Sequence, residues 1–281
     1  MTLLLRCLTL CLALPVALAA DGPPPAATPP APAQATPPTT PPAATAPATA
    51  PGPEPAKAPP ALVQLDANRF KIGEIEFDKQ TRAIRFPAIL NQREGLLEYV
   101  LVGDKGKVHE SLLRTAINAT HLNIVLKLLR YQNSPELFGL RDEEGFPNGL
   151  FPAVDPKIKA AARAELRMIW KGEEKEQSAT VNELITTQPE ERTMPPGPWV
   201  YGGSVVYEGR FIAAETGDLI AIQTNEAAIF NYPGANRDND EVWFPAAKLL
   251  PALGAEVTVE IRPWAPISKA KLPATKAKPK P

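Results

Sequence analysis

Four polar residues with chemical potential fall in one short stretch: Glu98, then His109, Glu110 and Ser111 beyond an Asp104-Lys105-Gly106 turn. A carboxylate beside an imidazole can orient the ring for proton transfer or help hold a metal. Glu98, His109, Glu110 and Ser111 are therefore the candidate catalytic residues, and His109 and Glu110 the candidate metal ligands. If residues 96–102 and 108–110 form a hairpin, these groups approach one another at its ends. Ser111 next to His109 in sequence does not define a triad, whose third member has to come from elsewhere. The competing account is a structural hydrogen-bond network.

Little else in the chain has the spacing of a reactive site. His109 and His121 are twelve residues apart, not at the i, i+4 spacing of a helical zinc pair. No GxSxG, P-loop, GxGxxG after a strand, or EF-hand loop occurs. The acidic run Asp238-Asn239-Asp240-Glu241 beside Asn236 lacks a diagnostic calcium spacing and reads as a solvated loop. Asn118-Ala119-Thr120 matches a glycosylation sequon but enters a helix, a poor acceptor geometry. Trp199, Tyr201, Tyr207, Phe211, Phe230, Tyr232, Trp243 and Phe244 gather in the last third. They suit a sugar-binding face or, more simply, a β-sheet core. No cofactor is expected.

The elements that must carry these residues read mostly as strands. Phe70, Ile72, Ile75 and Phe77 suggest one strand with an irregularity at Gly73, and Ile84 and Phe86 its hairpin partner, turning near residues 78–80. Strands are also expected at 96–102, 164–170, 199–206, 210–213, 219–224 and 257–261. Residues 120–131 read as a helix with Leu122, Val125, Leu126 and Leu129 on one face, started by Asn118 or Thr120. Residues 157–164 have helical composition, and 181–185 are short helical or extended. The fold class is α+β: mainly antiparallel β with one or two packed helices, preceded by a disordered Pro/Ala-rich segment.

Composition divides the chain. Arg6, an apolar run over 7–16 and Ala17-Leu18-Ala19 read as a signal peptide over 1–20, cut near Ala19 or Ala20. Both cysteines, Cys7 and Cys11, lie within it, so the mature chain has no disulfide, thiolate nucleophile or cysteine-held metal. Residues 21–61 are almost wholly Pro, Ala and Thr and read as a disordered linker. The globular domain is placed at 62–266, and a disordered Lys/Pro/Ala tail at 267–281 carries Lys269, Lys271, Lys276, Lys278 and Lys280. Within the domain acidic residues outnumber basic ones by six, which argues against a nucleic-acid partner. No transmembrane helix is expected in the mature chain, and the Lys-rich tail can contact anionic surfaces.

The run from Gly95 through Glu98, Gly103-Asp104-Lys105-Gly106-Lys107-Val108-His109-Glu110-Ser111 to Thr115 resembles the signature of the YdjY-domain family. Looser similarity continues through Gly202-Gly203-Ser204, Gly217-Asp218 to Thr224, 228–233 and 257–263. The resemblance spans about 70–263 and implies an exported bacterial protein of no established activity. Some family members carry cysteine clusters; this chain lacks them, so no iron-sulfur role carries over. The sequence therefore points to a periplasmic or extracellular, non-enzymatic binding or interaction domain on a flexible spacer, its envelope partner or ligand unknown. The alternative is a metal-assisted or His-dependent hydrolase centred on Glu98, His109 and Glu110.

Overall fold

Ile84, Phe86, Ala88 and Leu90 are buried while Arg85 and Pro87 between them are exposed, the period-two pattern of a strand with one face on a core. Residues 163–171 and 256–263 repeat it, burying Ala164, Leu166 and Met168, and Val257, Val259 and Ile261. The computed structural model describes residues 61–265. The expected signal peptide, nearly all of the linker and the tail lie outside the described residues.

In chain order the elements are β1 (Leu62–Gln64), β2 (Arg69–Ile72), β3 (Ile75–Asp78), β4 (Ile84–Leu90), β5 (Tyr99–Gly103), β6 (Ser111–Thr115) and helix α1 (Ala119–Leu128). Then follow α2 (Pro156–Ala161), β7 (Arg163–Lys171), β8 (Glu176–Thr180), β9 (Ile185–Thr187), β10 (Trp199–Tyr201), β11 (Val206–Tyr207) and β12 (Arg210–Phe211). The last are α3 (Ile212–Thr216), β13 (Asp218–Ala221), β14 (Phe230–Asn231), β15 (Trp243–Pro245) and β16 (Glu256–Pro263).

Eight strands close into a barrel in the order β4-β16-β7-β10-β14-β13-β5-β6, with β6 returning to β4 through Ile89↔Arg114 and Leu90↔Leu113. The mainly-β expectation holds, and the closed ring is an addition to it. Most pairs are antiparallel, but β5–β6 and β13–β14 are parallel. Two staves fork. β4 pairs β3 at its start and β6 at its end. β7 pairs β10 at its start and β8 farther on. The β1–β2–β3 meander forms an apron on one side of the wall and β8 a flap on the other.

Side chains fill the interior. Phe86, Leu101, Leu113, Leu166, Met168, Trp199, Tyr201 and Phe230 are all at most 2% exposed. Helix α1 packs where β4 parts from β6, with Leu122, Val125 and Leu126 buried. The Leu129 carbonyl accepts from Arg82 Nε at 2.8 Å, and Tyr201 Oη donates to Asn123 Oδ1 at 2.5 Å. Asn118 is the cap, its Oδ1 accepting from the Thr120 and His121 amides, so the sequon side chain is spent on starting the helix. Trp199, Tyr201, Phe230, Tyr232 and Trp243 are buried, and their rings meet tilted or edge-on at 5.5–5.8 Å. For these five the core reading holds; Tyr207 is exposed.

Several local expectations are corrected. The single strand expected at 70–77 is two, β2 and β3, because Gly73 adopts φ 56° and turns the chain. A side chain there would also meet His121 Nδ1 at 2.9 Å. Of the strand expected at 210–213 only Arg210–Phe211 is strand, as β12; from Ile212 the chain winds into α3, which ends at Gly217 in the left-handed region. Residues 199–206 do not run as one strand, since β10 stops at Tyr201 and Gly203 and Ser204 have positive φ. Strand β8 was not expected, because Glu-Gln-Ser-Ala-Thr has no apolar alternation. Among the described residues no helix is long and apolar enough to cross a membrane.

Candidate functional site

The stretch holding Glu98, His109, Glu110 and Ser111 does not form a hairpin. β5 and β6 are parallel neighbours, Tyr99 opposite Ser111 and Gly103 opposite Thr115. Parallel neighbours usually need a crossover of a dozen or more residues; here residues 104–110 suffice, for two reasons. Gly103, Gly106 and Gly217 pack backbone to backbone, so that a Cβ on Gly217 would lie 3.0 Å from the Gly106 nitrogen and one on Gly106 2.9 Å from Val102 Cβ. The chain then winds through a 3-10 turn at Val108–Glu110 directly into β6. Asn91 pins this turn, its amide donating to the Val108 and Ser111 carbonyls.

This crossover brings Glu98 and Glu110 together, the Glu98 amide donating to the Glu110 carbonyl at 3.0 Å. Lys107 Nζ lies 3.3 Å from Glu98 Oε2 and 3.8 Å from Glu110 Oε2. His109 Nε2 is 3.2 Å from Glu110 Oε1, with its side chain 73% exposed. Ser111 does not join them: it is buried and its hydroxyl donates to the Leu113 carbonyl. His121 lies apart on α1, against Gly73.

Two carboxylates thus share one ammonium. Burial, and then the neighbouring Glu110 carboxyl, hold Glu98 above its ordinary pKa against the opposing pull of Lys107. Burial lowers the Lys107 pKa, but Tyr99, Glu98 and Glu110 together hold it above the usual value.

A second polar group adjoins. Lys107 Nζ sits 5.4 Å from the Tyr99 ring centroid. The Asn225 amide donates both to Tyr99 Oη and to Asp218 Oδ2, each at 3.0 Å. Burial, then the Asp218 charge, raises the Tyr99 pKa. Asp218 Oδ1 and Asn231 Nδ2 are buried without hydrogen-bond partners among the described residues. Lys107, Tyr99, Asp218 and Asn225 are the members the sequence reading did not pick out. Lys107 lies inside the same motif, where its place between Gly106 and Val108 could have drawn notice. Asp218 and Asn225 are more than a hundred residues away and gave no local signal.

The cluster sets two carboxylates and an imidazole around one ammonium. It has little with which to hold a substrate. None of Glu98, Lys107, His109 and Glu110 lines any of the principal cavities. Among the described residues no group of three or more His, Asp or Glu could hold a metal ion. The acidic loop at Asp238–Glu241 is largely exposed and closed on itself by Asn239 Oδ1 accepting the Glu241 amide.

The concave surface lies instead on the outside of the β4–β16–β7 wall. Three cavities of about 340, 300 and 480 Å³ follow one another along it. The first two share Glu76 and Arg85, and the last two share Pro87, Ile169, Glu176 and Thr258. Register explains the trough. Pro87, Thr258 and Ile169 stand in one row across the wall, and Arg85, Glu260 and Arg167 in the next. Glu260, its side chain 1% exposed, is gripped by Arg85 at 2.6 Å and Arg262 at 2.5 Å. No protein-family model, curated protein or solved structure matches this chain.

Proposed function

We propose that this chain is an exported bacterial envelope protein, related to the YdjY-domain family, whose barrel is a non-enzymatic binding module on a Pro/Ala spacer. The observation that carries the reading is the separation of polar cluster from cavity. The residues suited to proton transfer lie on an open surface, whereas the continuous concave face is an outer trough with an apolar strip of Pro87 and Ile169 and an ionic rim. Among the described residues the interior is packed with side chains, which supports placing recognition on the outer wall.

The test is retention of the full chain in the envelope of a bacterial host. A processed chain that sediments with the envelope, and is released by Ile169→Glu but not by His109→Ala, is the expected result. Unprocessed protein in the cytosol, or retention indifferent to Ile169→Glu, overturns the reading. The convergence of Glu98, His109 and Glu110 supports the alternative, a metal-assisted or His-dependent hydrolase. That reading requires turnover of an ester or phosphoester that is lost in both His109→Ala and Glu98→Gln.

A further inference from the structure

Two hairpins outside the trough carry apolar side chains that the fold leaves uncovered. The connection from α1 to α2, residues 129–155, is far longer than joining those helices needs. Its root is anchored by the buried Glu136, which pairs with Lys159 and Arg163. Its apex is ordered by hydrogen bonds. The Leu140 amide donates to the Leu150 carbonyl at 2.7 Å, the Asn148 amide to the Leu140 carbonyl at 3.0 Å and the Asp142 amide to the Phe146 carbonyl at 2.8 Å. Yet Phe146, Leu150 and Phe151 are each more than half exposed, as are Val206 and Tyr207 on the β11–β12 hairpin. Half of the large exposed apolar side chains among the described residues lie in 140–151 and 205–207. That concentration marks an interaction surface, where scattered single residues would not.

The hairpins share a footing. Arg141 Nη2 lies 3.6 Å from Glu226 Oε1, and Ser204 Oγ donates to the Ala227 carbonyl at 2.6 Å, so both lean on one turn. At their roots a Cβ on Gly203 would meet Asn133 at 2.8 Å, and one on Gly202 would meet Phe138 at 3.0 Å. Their charge is one-sided. Arg141 and Arg210 are their two cations, and each is paired with a carboxylate, Glu226 and Glu215. Asp142, Glu143, Glu144 and Glu208 are exposed and lie within ion-pair distance of no cation among the described residues. Residues 140–151 and 204–211 line no part of the trough.

The acids select the partner. Asp142, Glu143 and Glu144 lie between Leu140 and Phe146 at the apex, so sinking Phe146 into a bilayer would press carboxylates against an anionic surface. A second copy offers no complement. Its hairpins carry the same charge, and its trough is lined by equal numbers of cations and carboxylates. What fits is an apolar surface edged with cations. We infer that the two hairpins form one docking surface for a cationic amphipathic segment of another protein. Its apolar side covers Phe146, Leu150 and Tyr207, and its cations face Glu143, Glu144 and Glu208. The surface is distinct from the trough and does not depend on it. Because the hairpin at 140–150 is already ordered by its own hydrogen bonds, docking has little backbone left to order.

The test is an amide-shift titration of the ¹⁵N-labelled full chain with a helix-forming peptide of about 18 leucines and lysines, its lysines along one face. Shifts confined to 140–151 and 204–211 are expected, with binding weaker in high salt. The variant F146S/Y207S should bind about tenfold more weakly. E143Q/E144Q/E208Q should bind about fivefold more weakly and lose much of the salt dependence. All five side chains are exposed, and unchanged amide positions elsewhere check that the fold is kept. No binding, shifts centred on the trough or on Asp238–Glu241, or unchanged affinity in either variant would overturn the docking surface. So would binding to phosphatidylcholine vesicles that F146S/Y207S abolishes, which would assign the patch to a bilayer.

Discussion

The outer wall and the β5–β6 crossover both place carboxylates against cations, with opposite stoichiometry. At the wall one carboxylate, Glu260, meets two guanidiniums and is almost fully enclosed. At the crossover two carboxylates, Glu98 and Glu110, share one lysine whose side chain is 52% exposed. In the first arrangement the carboxylate has a guanidinium on each side. The second is under-neutralised, and burial, with the neighbouring Glu110 carboxyl next, holds the Glu98 pKa above its ordinary value. A surplus of cation thus makes a structural clamp, and a surplus of carboxylate makes a titratable surface.

The sharpest way to break this contrast is to strand the wall carboxylate. Arg85→Ala/Arg262→Ala leaves Glu260 buried and unpaired, and should cost about 3–5 kcal/mol in urea unfolding. A cost below about 1 kcal/mol would show that the clamp is no more than a surface pair. Next in size is Gly217→Ala. With φ 78° and the Gly106 nitrogen 3.0 Å from the new Cβ, it should destabilise by about 1–3 kcal/mol and displace Lys107 from Glu98.

Smaller still is Glu98→Gln. Because the folded-state pKa of Glu98 lies above its ordinary value of 4.5, the native state binds the proton more tightly than the unfolded chain. Glu98 therefore makes stability fall as pH rises from that value through the raised one. The Gln variant should flatten this decline, with a gain of under about 1 kcal/mol at neutral pH, read from Tm between pH 4 and pH 8. An unchanged pH profile would remove the account of a raised Glu98. The smallest effect belongs to His109→Ala: an exposed side chain with one local partner should alter stability by no more than about 0.5 kcal/mol.

The same two regions show what could be read from the sequence. Glu98, His109 and Glu110 meet because a glycine-bearing turn and a helical turn lie between them, all within thirteen residues, so their proximity was legible. Their topology was not. Gly103, Gly106 and Gly217 allow parallel strands to sit side by side on a short connection, and one of the three comes from a distant segment. The clamp on Glu260 was invisible, since Arg85 is 175 positions away and the pairing depends on β16 inserting between β4 and β7. Alternation identified β4, β7 and β16 as strands, and the apolar face of α1 with its Asn118 cap identified the helix. Barrel closure depends on the forks in β4 and β7, which no local pattern announces.

The position of β16 sets the order of assembly. The last stave described is also a middle one, so until residue 263 is available β4 and β7 have no common neighbour and the ring stays open. A chain of this design cannot complete its cylinder before residue 263 has joined the sheet, so the ring is closed by contacts between segments far apart in sequence.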